Sequence, residues 1–275
     1  MTLAIPDSVH KESAKSRPHT IEPDTAAADA AWKGLFKVGS VAALIAGLVF
    51  RRNLGAEFML LRSVGIINVG PTTSHYSVLD WFGLLQNNRL LGLTLLNFFD
   101  LVNYALVGLM FLALFAALWR ASRSLIAIAA SLSFVGIAVY FASNQALTML
   151  SLSDQYAAAT EAQRSVLLAA GQATLASHQN AGYEGTGLYL SFFLVTVAGL
   201  LISAVMLRSR IRAFSKVTAY MGILANGFGL GYYLALAFAP VMVALPLSIS
   251  ALFLLAWYVL IGRQLWTNHR IHLGS

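Results

Sequence analysis

The chain has 275 residues, 58% of them hydrophobic and only 11% charged, with a mean hydropathy of +0.72. An aqueous domain carries roughly a quarter charged residues, so this composition excludes a single water-soluble core and makes lipid the expected solvent. The net charge of +7 sits beside apolar runs, which points to anionic headgroups rather than nucleic acid, and the lack of cysteine excludes disulfides, thiolate metal sites and cysteine nucleophiles.

Residues 1–31 have scattered charge, three prolines and no apolar periodicity, and they lack the apolar segment of a signal peptide. They read as a disordered cytoplasmic tail. Residues 32–265 form the expected membrane domain, and 266–275 a second cytoplasmic tail. A helix needs about 20 apolar residues to cross the hydrocarbon. Six runs qualify, at 34–50, 93–118, 125–147, 186–207, 217–239 and 243–262. The first is short, flanked by Trp32 and by Arg51 and Arg52, with Lys37 able to snorkel to the nearer interface. Pro240 and Pro246 bracket the turn between the last two. The expected fold is therefore an all-α integral membrane protein, a bundle of six transmembrane helices with two helical extracytoplasmic connections.

The charges between the runs are sorted by side. Arg120, Arg123, Arg208, Arg210, Arg212, Lys216, Arg263 and Arg270 lie in the even-numbered connections and the C-terminal tail, which hold no acid. The other side has Arg51, Arg52, Arg62, Arg89 and Arg164 spread over longer loops, together with Glu57, Asp80, Asp154, Glu161 and Glu184. Short loops rich in Lys and Arg face the cytoplasm, so both termini are expected there, in a bacterial inner membrane, with Arg208, Arg210, Arg212 and Lys216 touching lipid headgroups. Of the two long connections, 54–88 has apolar residues at helical spacing (Phe58, Leu61, Val64, then Leu79, Phe82, Leu85) and reads as one or two interfacial helices broken near Gly70-Pro71. The other, 152–183, has a helix-prone centre over 157–176, with Ser153 and Thr160 as N-caps and Gly182 and Gly185 as terminators. Gly39, Ala43 and Gly47, and again Gly227 and Gly231, recur every fourth position and mark faces where helices can approach closely.

One acid, Asp100, falls inside a run, and an ionisable group in the membrane is costly enough to need a reason. Asn97, Asp100, Asn103 and Tyr104 share much of one helix face. Tyr140, Asn144, Thr148 and Ser151 form a second polar stripe, and Asn226, Tyr232 and Tyr233 a third. These converge on one depth, where Asp100, Asn103, Tyr104, Asn144 and Tyr233 would line a binding pocket capped by Glu184. The alternative is that the same groups only hydrogen-bond between helices, at roughly 0.6–2 kcal/mol each. His75 and His178, with Asp80, Asp154 or Glu184, are weak candidates for a zinc site, because no local ligand spacing supports them. No phosphate-binding loop, dinucleotide fingerprint or nucleophile elbow is present. No catalytic residue and no cofactor is assigned.

From about residue 90 to 265, NRLLGLTLLNFFDLVNYALVGLMFLALFAAL, SLSDQYAAAT, LLAAGQA and VMLRSRIRAFSKVTAYMGILANGFGLG occur in that order. On these segments the chain resembles a family of bacterial membrane proteins known as domain of unknown function 4386. The resemblance implies a multi-span inner-membrane protein and brings no activity. A non-enzymatic role as accessory subunit, sensor or partner leads the functional readings, with another membrane protein or a second copy of the chain as the expected contact besides lipid. A small-solute or proton-coupled carrier built around Asp100 comes second, and a metal-dependent hydrolase at the outer face third.

Overall fold

The computed structural model describes residues 32, 34–49, 77–180, 183–184, 186–209, 214–242 and 244–271. The expected tail at 1–31, the Gly70-Pro71 break with Phe58, Leu61 and Val64, and the side groups Arg51, Arg52, Arg62, His75, Arg210 and Arg212 lie outside the described residues.

Among the described residues ten helices follow one another: α1 (Gly34–Val49), α2 (Val78–Asn87), α3 (Arg89–Leu95), α4 (Phe98–Leu118), α5 (Arg123–Ser143), α6 (Ala146–Ala158), α7 (Glu161–His178), α8 (Thr186–Arg208), α9 (Lys216–Phe238) and α10 (Ala244–Ile271). The only other regular pieces among the described residues are a 3₁₀ turn at Pro240–Met242 and a two-residue hairpin, Gln179–Asn180 against Tyr183–Glu184. Five stretches among the described residues are long and apolar enough to cross a membrane: α4, α5 with its continuation α6, α8, α9 and α10. Between 22% and 44% of each apolar window is buried inside the protein. More than half of each is left for another apolar solvent, and the outward side chains, such as Leu234, Leu252 and Phe238, are large and hydrophobic. This is a multi-pass, all-helical membrane protein.

α1 is shorter, at about 24 Å for its sixteen residues, yet it belongs to the bundle. Gly39 rests on Ala113 of α4 and Gly47 faces Tyr258 of α10. The Ser40 hydroxyl donates to the Gly262 carbonyl at 2.6 Å. Contacts between α4 and α5, α5 and α8, α8 and α9, and α9 and α10 complete a ring that α1 closes. At one end the ring is filled by Met110, Leu114, Leu118, Ile126, Ile202, Met206, Ile261 and Leu265. Exposed Arg120, Arg123, Arg208, Lys216 and Arg263 surround that end.

A second, separate apolar cluster lies at the other end, where α2, α3, α6 and α7 pack around Trp81, Phe82, Leu85, Leu96 and Met149. Ser77 starts α2 with a capping box, its hydroxyl accepting from the Asp80 N–H while the Asp80 carboxylate accepts from the Ser77 N–H. Thr160 starts α7, with Gln163 accepting from its N–H at 3.1 Å. Ser153 is not an N-cap: it is buried inside α6, and its hydroxyl donates to the Phe82 carbonyl at 3.0 Å, tying α6 to α2.

Three further expectations are corrected. The runs 93–118 and 125–147 are not single helices, because the backbone breaks at Leu96–Asn97 and again at Asn144–Gln145. Gly227 and Gly231 are not the tight faces of α9, since nothing lies near Gly227. The close approaches are at Gly222, beneath Ser203 and the Trp257 indole, and at Gly229, against Thr196 and Ser250. Residues 266–271 continue α10 rather than beginning a tail.

Candidate functional site: a cavity around Asp100

Asn97 is the only described non-glycine residue with positive φ (59°). Asn tolerates this left-handed conformation because its short polar side chain finds local partners. The residue ends the α3 segment and starts α4, so its carbonyl has no helical partner of the usual kind. It accepts instead from the Asp100 N–H at 3.2 Å, the Asn144 Nδ2 at 3.1 Å and the Tyr140 hydroxyl at 3.4 Å. Asn144 lies at the matching break of the neighbouring helix, and its Oδ1 accepts from the Ala146 N–H at 3.1 Å, starting α6. Two helix interruptions are thus tied to each other, one residue from each side.

This joint fixes the first turn of α4 beside a cavity of about 220 Å³. The cavity occupies the half of the ring nearest the α2–α3–α6–α7 cap: Asp100 is in the first turn of α4, Tyr140 in the last turn of α5, Tyr189 at the start of α8, Tyr232 near the end of α9 and Leu247 at the start of α10. Along α4 it extends from Asn97 past Val107 to Phe111, about 21 Å of helix. Phe111 and the Trp257 ring meet edge to face, 6.4 Å between centroids, and close its inner end. Tyr104 stacks on Tyr140 at 3.9 Å along one wall. Tyr189 and Phe192 flank Tyr232 along another, at 6.3 and 5.9 Å.

Polar groups are few and specific. Asp100 is half-buried and interacts electrostatically with the Tyr258 hydroxyl. Asn226 turns its Nδ2 to the Gly222 carbonyl at 2.7 Å while its amide packs against Gly199. The Ser250 hydroxyl donates to the Ala225 carbonyl at 2.7 Å. Asn103 is 6% exposed, and its Oδ1 has no hydrogen-bond partner. Buried amide oxygens are nearly always paired, so this acceptor stands out.

The residues expected in a pocket therefore divide. Asp100, Asn103 and Tyr104 come together on the cavity wall. Asn144 does not line it and instead holds the α3–α4 break. Tyr233 sits behind the wall, donating its hydroxyl to the Tyr189 carbonyl at 2.6 Å, while its neighbour Tyr232 faces in. Glu184 lies in the two-residue hairpin before α8. The α8 and α10 contributions (Tyr189, Phe192, Thr196, Ser250, Trp257, Tyr258) were not anticipated. Thr196 and Ser250 carried the only signal, as polar residues in otherwise apolar runs.

Among the described residues no group of three His, Asp or Glu is placed to hold a metal ion. His178 ends α7, Asp80 is engaged by Ser77, and Asp154 pairs with Arg89 at 2.7 Å. No family model, curated protein or solved structure matches the chain.

Proposed function

We propose that the protein is a non-enzymatic inner-membrane protein of a bacterium that binds a small solute in the Asp100 cavity, as a sensor or accessory subunit. The observation that carries the reading is that Asp100, Asn226 and an Asn103 oxygen without a hydrogen-bond partner meet at the wall of a space of about 220 Å³ among apolar helices. An engineered apolar cavity of about 150 Å³ already takes up benzene, so a ligand of that order has room. Among the described residues no nucleophile–base pair accompanies the polar groups, which favours binding over chemistry. Six spans with both termini in the cytoplasm fit the antiparallel course of α1 and α10 and the basic residues at their shared end. Arg208 and Lys216, both exposed at that end, would meet anionic headgroups.

A carrier is the second reading, favoured by one specific feature: interrupted helices at the wall of a central cavity are a recurring device of secondary transporters. Binding distinguishes the cavity from a packing defect. Purified wild type and an Ala225→Leu variant, which fills the cavity, are heated with a panel of metabolites, lipids and metal ions. A ligand that raises the melting temperature of wild type alone is the expected result. A panel without effect on wild type, or equal effects on both proteins, sinks the proposal.

A further inference from the structure

Among the described residues, twenty line the cavity, and eight of these are aromatic. Two of the twenty carry a buried polar atom without a hydrogen-bond partner, Asn103 Oδ1 and Trp257 Nε1. The Trp257 N–H is turned away from the space, since it lies beside Gly222 of α9, which is not a lining residue. Asn103 differs. It is 6% exposed, lies about two turns outward of Phe111 on α4, and borders the cavity with its amide. A buried acceptor without a donor costs free energy, which a ligand that brings the donor recovers. A ligand lacking one leaves the oxygen desolvated and unpaired. Flat rings gain from offset or edge-to-face contact with aromatic walls, beyond the area they bury. A charged ligand would have to shed its water to enter a space between apolar helices. Asp100 already interacts with the Tyr258 hydroxyl and is given no part in holding the ligand.

We infer that the cavity takes an uncharged, flat aromatic molecule whose N–H or O–H donates to Asn103 Oδ1, a reading that rests on the solute-binding function proposed above. The ring lies between the stacked Tyr104–Tyr140 pair and the wall of Phe192 and Tyr232. Its apolar edge points toward Val107 and Leu254. Benzene in its cavity of about 150 Å³ has six non-hydrogen atoms. By proportion, this cavity takes roughly nine, which is a fused bicycle or a single ring with a short substituent.

The test uses the full-length protein in lipid nanodiscs and isothermal titration, with empty nanodiscs as the blank. Four probes share one size: indole, which brings a donor; acetophenone, which brings only an acceptor; indene, which brings neither; and 2-phenylethylammonium, which brings a charge. Indole should bind at least about tenfold more tightly than each of the other three. Asn103→Leu, which keeps the branching of the side chain and removes its oxygen, should bring indole down to the affinity of indene. Indene itself should bind that variant as it binds wild type, which shows the cavity intact. Equal binding of indole and indene by wild type, or an advantage of indole that survives in Asn103→Leu, would overturn the role given to Asn103. Tightest binding of acetophenone or of the ammonium, lost in Ala225→Leu, would overturn the ligand class and keep the cavity as a binding site. If none of the probes binds, with circular dichroism showing wild type folded, the aromatic receptor is refuted, and the metabolite panel then decides whether the cavity binds anything.

Discussion

Two asparagines do opposite work in this protein. Asn97 is structural: its left-handed backbone and triply engaged carbonyl form the joint between α3 and α4. Replacement by Val, which is β-branched and disfavours positive φ, should cost about 1–2 kcal/mol, read as a lower melting temperature in detergent. Asn97→Gly, free of that penalty, should stay near wild type. Asn103 behaves in the reverse way. A buried acceptor without a partner costs about 1–3 kcal/mol, so Asn103→Leu should keep or raise the melting temperature while the preference for a donor-bearing ligand is lost. A fall in stability of that variant would mean the oxygen is satisfied within the fold. Asp80 carries a pH dependence whose sign follows from its shift. The hydrogen bonds from Ser77 hold its carboxyl below the ordinary value of 3.8. The folded form therefore favours the ionised group, and its contribution is complete above that pH and lost as the pH falls through the lowered folded value. The difference in melting temperature between wild type and Asp80→Asn should accordingly shrink on acidification below 3.8.

At the level of the helices, glycine positions in α9 give the sharpest contrast. A methyl group at Gly222 would collide with Ser203 and the Trp257 indole, whereas one at Gly227 would meet nothing. Gly222→Ala should destabilise by about 1–3 kcal/mol through overpacking, and Gly227→Ala should be neutral or gain up to about 1 kcal/mol from helix propensity. Thermal melts of the two variants side by side check this. The same helix shows what hydropathy conveys and what it does not. Apolar length located α8 and α9 to within one residue at each end, and the end of α4 and the start of α10 as closely, because the bilayer sets that length whatever the packing. It did not reveal which side of each helix points inward. These helices are apolar all round, so no stripe marks the core face. A rotation of one residue, about 100°, exchanges Tyr232 for Tyr233 at the cavity wall. The breaks at Asn97 and Asn144 were hidden for a related reason: each uses a single asparagine and no proline or glycine. Asp100, Asn103 and Tyr104 could be read in advance because a charge and two polar groups on one helix face need a shared partner.

The whole molecule is arranged as a ring with differing ends. Basic side chains and Trp119 gather at the filled end, and the cavity and the cap at the other. Because the sequence contains no cysteine, single cysteines can be introduced without a background. At Lys216 and at Leu79 of the cap they should react with a membrane-impermeant maleimide from opposite sides of sealed vesicles, and labelling of both from one side would refute the proposed course of the chain.

The two apolar clusters share no buried side chain. The cap cluster is joined across its helices by Ser153, Gln86 and one exposed Arg89–Asp154 pair, and an exposed pair contributes little. Such a molecule should not melt all at once. Calorimetry should resolve a small early transition, lowered further by Ser153→Ala, and a larger later one that this substitution leaves in place. A solute held in the cavity would delay the second transition more than the first, so the order of melting records which part of the protein the ligand grips.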